Sequence, residues 1–170
     1  MTAFNKKDRD SFNKKTAQFK SLLTSLDTLL ATRSELSFIS HIDEAKANAC
    51  CKEHQELFRK NEVMLLTIWG PFENNELFDY AWREWSGLIK DYYLVRWEMF
   101  FDTLLENFEN DGSTISDTPF NHNERNDYET TPFQQKLRDF EFSFIDNYNP
   151  SEYCSLETIE TAKKIIEKLS

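Results

Sequence analysis

The sequence has little with which to break a chain, holding 3 Gly and 4 Pro in 170 residues. Many-stranded sheets need frequent tight turns built from those residues, so their scarcity favours a few long helices. Cysteine is scarce as well. Cys50, Cys51 and Cys154 form an odd set with two members adjacent, which is no disulfide framework and reads as reduced, structural thiols. No apolar run approaches the roughly 18–20 residues of a spanning helix. The opening residues, Met1-Thr2-Ala3-Phe4-Asn5, lack the apolar stretch of a secretory signal. Asn149-Pro150-Ser151 is blocked as a glycosylation sequon by its proline. No export on a signal of its own is therefore expected, although a piece of a longer secreted precursor would read the same. Positive charge is short too: 20 Lys and Arg face 30 Asp and Glu, a formal charge of −10. That balance argues against nucleic acid, whose affinity rests on cations neutralising phosphates, and against anionic membrane surfaces.

Familiar catalytic signatures are missing. There is no G-x-S-x-G, phosphate-binding loop, H-E-x-x-H or paired C-x-x-C. Cys51 and His54 stand at i, i+3 and suit a shared metal, yet no second pair completes a tetrahedral set; no metal or other cofactor is expected. Glycoside hydrolysis by carboxylates needs two of them about 5–10 Å apart across a sugar-sized cleft. Glu53 with Glu56, and Glu76 with Asp79, are already explained as solvated helical neighbours. No catalytic residue is assigned.

What the chain does have is rings: 15 Phe, 6 Tyr and 4 Trp, each able to remove roughly 150–250 Å² from water. The periodicity predicts an all-α bundle of about five helices. A first helix runs from about Asp8 to Ala31 on Phe12, Phe19, Leu22, Leu23, Leu26, Leu29 and Leu30. A second starts at Ser34 as N-cap and continues to about Leu66, ended by Gly70-Pro71. The third and longest runs from about Glu76 to Phe108, on the order of 50 Å, and is apolar over so much of its surface that it needs cover on several sides. Residues 109–131, rich in Asn, Asp, Ser and Thr, read as a mobile loop. Thr131-Pro132-Phe133-Gln134 then restarts a helix with a capping box. After Pro150, Ser155 can cap a last helix on Leu156, Ile159, Ala162, Ile165, Ile166 and Leu169. No convincing strand and no repeat is found, and residues 1–170 read as one helical domain.

One stretch stands apart: Thr67-Ile68-Trp69-Gly70-Pro71, then Phe78-Asp79-Tyr80-Ala81-Trp82 and Tyr92-Tyr93-Leu94-Val95-Arg96-Trp97. A Trp just before Gly-Pro occupies a tight, non-helical corner. There its face can be offered to the apolar face of a sugar ring, or it can plug the junction between helices. The spacing leaves both readings open.

Those residues resemble the signature of the C-terminal domain of the α-N-acetylglucosaminidases, glycoside hydrolase family 89. Its pattern is approximately TLWGP, a short loop, then DYA-x-K-x-W-x-GL-x-x-YY-x-x-RW. Thr67, Trp69, Gly70, Pro71, Asp79, Tyr80, Ala81, Trp85, Gly87, Leu88, Tyr92, Tyr93, Arg96 and Trp97 fit it. Leu26–Thr32, Phe140-Glu141 and Ala162–Ile166 are similar to flanking parts of the family pattern. The resemblance implies a retaining hydrolase of terminal α-linked N-acetylglucosamine, as on heparan sulfate, lysosomal or secreted when full-length. Its two catalytic glutamates lie on a separate (β/α)₈ barrel. The helical domain packs on that barrel, is inactive alone, and lines the sugar pocket with Trp69, Tyr80 and Leu77. The partners so implied are the barrel and an N-acetylglucosamine-terminated glycan; the apolar surface also allows self-association. A stand-alone interaction or scaffold protein derived from the domain is the competing reading. The chain departs from the pattern in a longer segment between Pro71 and Asp79, and in Lys60–Leu65, where the family usually reads YNARNQ and only the Asn is kept.

Overall fold

The computed structural model describes residues 8–69, 83–107, 131–150 and 156–169. The order of elements is α1 (Arg9–Leu30), a 3₁₀ turn (Ser34–Leu36), α2 (Phe38–Ala47), α3 (Lys52–Leu66), a π turn (Leu88–Tyr93) running into α4 (Leu94–Glu106), α5 (Pro132–Asn147) and α6 (Thr158–Leu169). The domain is all-α. Among the described residues the one departure is an isolated parallel bridge between Ser37 and Ser86, made by Phe38 N–H to Ser86 O at 3.0 Å and Ser86 N–H to Leu36 O at 2.8 Å.

Two expectations about helix length are corrected. The expected second helix is divided in three. Ser37 ends the 3₁₀ turn and caps α2 through its own side chain, accepting from Ser40 N–H at 3.4 Å. α2 then stops at Asn48, and the chain bends through Cys50 and Cys51 before α3. This break lets α2 fold back along α3, so that Phe38, Ile42 and Val63, all at most 1 % exposed, face one another. The long third helix is shorter at its start. Residues 83–85 are not helical, and Gly87 sits at φ 90° before Leu88. From Leu88 to Glu106 the continuous helical segment spans on the order of 28 Å. The part of that expectation on residues 76–82 lies outside the described residues, as does the expected loop apart from Thr131.

Thr131 does begin a helix as its sequence predicts. Its hydroxyl accepts from Gln134 N–H at 3.2 Å while Gln134 Oε1 accepts from Thr131 N–H at 2.9 Å, and Pro132 follows. The core gathers Phe38, Ile42, Val63, Ile68, Leu88, Tyr92, Tyr93, Phe144 and Ile145. Tyr92 is its largest fully buried side chain. Its ring lies 5.1 Å from that of Phe144 and 5.9 Å from that of Phe140. A second aromatic group closes the α1–α4 seam, where Phe101 packs edge-on against Phe12 and Phe19 at 6.0 and 5.7 Å.

The inward face of α1 is not wholly the apolar stripe of the sequence. Leu22 and Leu26 are exposed, whereas Ser25 and Asp27 are buried. The reason is Asp27, whose Oδ1 accepts from Gly87 N–H at 2.7 Å and Lys90 N–H at 3.1 Å, while its Oδ2 accepts from Ser86 Oγ at 3.4 Å. The carboxylate caps the first turn of the π–α4 segment from another helix. A helix start leaves amide donors without carbonyl partners, and an acceptor there is worth about 0.5–2 kcal/mol.

Arg59 of α3 does the reverse at the end of α5. Buried to 3 % exposure, it donates from Nη1 to Ile145 O and Tyr148 O at 3.1 and 2.7 Å, and from Nη2 to Asp146 O at 2.9 Å. Glu56 holds the same guanidinium from the preceding turn, and the arginine in turn keeps the Glu56 carboxyl below its usual range. Lysine cannot reproduce a planar fork serving three carbonyls. Arg59→Lys should therefore lower the unfolding free energy by about 2 kcal/mol or more in urea denaturation. A loss below about 0.5 kcal/mol would mean that the carbonyls are served adequately by water.

Burial outweighs the two amides in setting the acidity of Asp27: desolvation foremost, with a smaller push from neighbouring Asp91, raises its carboxyl above the usual aspartate range against Gly87 N–H, Lys90 N–H and the Lys90 charge. A raised folded value means that the neutral form favours the fold. The contribution is complete below the unfolded value and is lost as pH rises through the folded one. Asn at this position keeps the accepting oxygen without the charge. Relative to wild type, Asp27→Asn should gain stability as pH is raised from about 4 to 7. Asp27→Ala should cost about 2–3 kcal/mol near pH 4 and less near pH 7, where the wild type has lost this contribution. Denaturation curves at both pH values decide this, and a growing deficit of the Asn variant would show that the charge itself favours folding.

Candidate functional site

The corner after α3 is built by its last residues. Thr67, completely buried, donates from Oγ1 to Val63 O at 2.6 Å and so closes the helix end with its own hydroxyl. Met64 O receives both Thr67 N–H at 3.3 Å and Trp69 N–H at 2.9 Å. The chain thereby curls back on α3. Ile68 drops into the core at 3 % exposure, and Trp69 emerges 37 % exposed. Trp69 is the one described non-glycine residue with positive φ, at 65°. For a bulky side chain that conformation costs on the order of 1–2 kcal/mol, so the surrounding bonds must hold it in place. The ring is partly covered and partly exposed at the end of α3. Tyr80 and Leu77, the other expected pocket residues, lie outside the described residues.

The other described residues of the aromatic motif are structural. Tyr92 Oη donates to Glu141 Oε1 at 3.3 Å, and Arg96 Nε stands 3.2 Å from the same oxygen, with its guanidinium carbon 5.1 Å from the Tyr92 ring centre. This buried cluster joins α4 to α5, leaving Glu141 committed to two partners. Trp85 lies flat on His41, with ring centres 3.9 Å apart and planes 6° apart. Trp97, half out of the surface, packs on Phe19 at 5.4 Å.

A polar cavity of about 390 Å³ opens where Asp27, Ser86, Gly87, Lys90, Asp91 and Tyr148 meet. Its two carboxylates are occupied, Asp27 by the helix start and Asp91 Oδ2 by the Tyr148 hydroxyl at 3.1 Å. Burial, then the neighbouring Asp91 charge, pushes the Tyr148 phenol well above the usual tyrosine range. It is a donor fixed in its neutral form, and the cavity holds no carboxylate pair left over for acid–base work.

Asp27 and Arg59 are the residues that sequence reasoning missed. Their signal was a charge inside an apolar register: Asp27 lies between Leu26 and Leu29 on a core-bound helix, and Arg59 one turn before Val63. Val63 also accounts for one departure from the family pattern, since it is fully buried in the core and needs an apolar side chain.

The described helices and the Trp69 corner define an all-α domain, and comparison with known proteins narrows this further. The sequence pattern of the α-N-acetylglucosaminidase (NAGLU) C-terminal domain matches residues 1–168, and the chain belongs to that family. It is 29 % identical over 150 residues to the α-N-acetylglucosaminidase of Homo sapiens, covering 86 % of this chain but 18 % of the human protein. A family 89 glycoside hydrolase from Clostridium perfringens in complex with PUGNAc superposes with a TM-score of 0.71 at 25 % identity, over 99 % of this chain and 18 % of that one. The Clostridium perfringens enzyme in complex with its substrate, GlcNAc-α-1,4-galactose, gives the same TM-score and identity over 98 % of this chain. The chain thus spans about a fifth of the length of these relatives.

Gly87 makes a stringent test of how the start of the π–α4 segment is packed. A Cβ there would stand 3.1 Å from Tyr148 Oη and 3.4 Å from Phe38 Cβ, on a backbone at φ 90°. Gly87→Ala should lower stability by about 2 kcal/mol or more. Combining it with Tyr148→Phe should restore only the steric part. Thermal unfolding that leaves Gly87→Ala unchanged would contradict this geometry.

Proposed function

We propose that the chain serves as the helical accessory module of an α-N-acetylglucosaminidase. It packs on a separate catalytic (β/α)₈ barrel and presents Trp69 as part of an aromatic wall for a terminal α-linked N-acetylglucosamine. The observation that carries this reading is the strained, outward Trp69 directly after a buried Ile68. Backbone strain at a bulky residue persists where neighbouring structure enforces it, and such residues gather at ligand-binding positions. An indole face offers broad apolar area against the C–H face of a pyranose. Tyr80 and Leu77 complete the proposed wall.

Further support comes from the surface. Leu22 and Leu26 on α1, Leu57 and Leu65 on α3, and Ile159 and Ile166 on α6 are all exposed. So much apolar side chain on separate helices suits a domain that is covered by a larger neighbour. This chain covers only 18 % of the matched relatives, which leaves ample room for such a module. The acid and the nucleophile are then supplied from the barrel, and the helical domain contributes binding and orientation.

The test is reconstitution. A family barrel lacking its own helical domain, combined with this chain, should hydrolyse an aryl α-N-acetylglucosaminide, whereas the chain alone should not. Trp69→Ala should lower kcat/KM of the complex on the order of tenfold, the scale of one lost ring contact. Because the ring is only 37 % exposed, the alanine variant should also melt lower, and Trp69→Phe, which keeps most of that packing, separates lost activity from lost stability. Full activity in the alanine variant would remove Trp69 from the pocket, and failure of any barrel to bind would favour a stand-alone interaction protein.

A further inference from the structure

The bend between α2 and α3 carries a cluster that the glycosidase reading does not use. α2 ends at Asn48, whose Nδ2 donates to Glu44 O at 2.8 Å, and Ala49 N–H donates to Lys46 O at 3.1 Å. The chain is thus fixed before it reaches Cys50. Cys51 then occupies the N-cap of α3 in an extended conformation, at φ −154° and ψ 171°, and its side chain makes no capping bond. Oxygen side chains are the preferred caps at such a position; here a thiol stands there and points elsewhere. Cys50 Sγ lies 3.0 Å from His54 Nδ1, and the ligand atoms of Cys50, Cys51 and His54 all fall within 4.8 Å of one another. The His54 ring is steadied by the parallel ring of Phe58, 6.4 Å away and inclined 16°.

The sequence made only Cys51 and His54 candidate co-ligands. The bend adds Cys50, because two adjacent residues in non-helical backbone can turn their sulfurs to the same side as the next helical turn. From this geometry we infer that Cys50, Cys51 and His54 form a surface site for a thiophilic d¹⁰ cation, Zn²⁺ by preference. Tetrahedral Zn²⁺, with bonds of about 2.3 Å to sulfur and 2.0 Å to nitrogen, needs its ligand atoms about 3.5–3.8 Å apart. The three groups are exposed, so small rotations of unhindered side chains bring them to that spacing. Soft thiolates and imidazole select Zn²⁺ or Cu⁺ over Mg²⁺ and Ca²⁺, which require oxygen donors. Two thiolates and one neutral imidazole balance the charge of Zn²⁺. Binding therefore releases two protons, one from each thiol, with no change of oxidation state. The fourth position faces solvent and takes water.

The experiment uses the whole chain, reduced and free of any affinity tag, titrated with Co²⁺ and then Zn²⁺. One equivalent of Co²⁺ should give a thiolate-to-metal charge-transfer band, which Zn²⁺ bleaches on displacement. Cys50→Ser and Cys51→Ser should each halve the band per bound metal. Each of these two variants and His54→Ala should weaken Zn²⁺ binding more than about 100-fold, beyond what loss of a supporting residue costs. Far-UV circular dichroism should be unchanged, since all three side chains are exposed. The inference is overturned if the Cys50→Ser/Cys51→Ser double variant binds Zn²⁺ as well as wild type. It is equally overturned if the reduced chain shows no thiolate band, or if His54→Ala leaves affinity intact. None of these results depends on sugar hydrolysis, so the site stands or falls apart from the accessory-domain reading.

Discussion

The described fold depends on charged side chains of one helix completing the ends of another. Asp27 reaches out of α1 to take the first amides of the π–α4 segment, the central helix of the bundle, and Arg59 reaches out of α3 to take the last carbonyls of α5. Each end would otherwise enter the interior with unsatisfied polar groups, at about 1–3 kcal/mol apiece. Because these links join residues far apart in the chain, they do more than cap. They fix which helix lies beside which, and they hold the entry of the central helix against the bridge at Ser37 and Ser86. Hydrophobic burial supplies most of the stability but is indifferent to small rotations. Directional bonds at the helix ends remove that freedom.

The same economy explains why the aromatic motif is so dense. Tyr92, Arg96 and Glu141 form one buried unit between α4 and α5. Gly87 must be glycine for two reasons, its backbone angle and the nearness of Tyr148. Most of the described part of the motif is thus spent on assembling the scaffold, and Trp69 is an exposed member. It stands on a corner whose geometry is enforced by Thr67 and Ile68.

How much of this was legible beforehand varied with the physics involved. Helix type and the start of α5 followed from periodicity and from the Thr131–Gln134 capping box, both local signals. The break between α2 and α3 was not legible. Apolar residues continue through Ala45 and Ala49, and what stops the helix is the tertiary gain from folding α2 onto α3. The late start of the central helix was missed for a related reason, because Gly87 in a helical pattern looks tolerable until its positive φ is known. The corner at Trp69 was visible in Trp-Gly-Pro, although its direction was not. That depends on Ile68 being drawn into a core assembled from distant segments. Asp27 and Arg59 required knowing which helix ends lie next to them, information carried by no single stretch of sequence.

The π turn at Leu88–Tyr93 has a consequence for how this domain can change over time. Its wider coil brings Leu88, Ile89, Tyr92 and Tyr93 all to the interior, and it sets the angle at which every later residue of α4 leaves the axis. Deleting one residue there would restore ordinary α-helix with nearly the same total turn, because six π residues at about 82° and five α residues at about 100° each complete roughly 500°. Trp97 and Phe101 would stay against Phe19, and Arg96 near Glu141. The loss would fall on the core instead, where three inward side chains would have to fill the space of four.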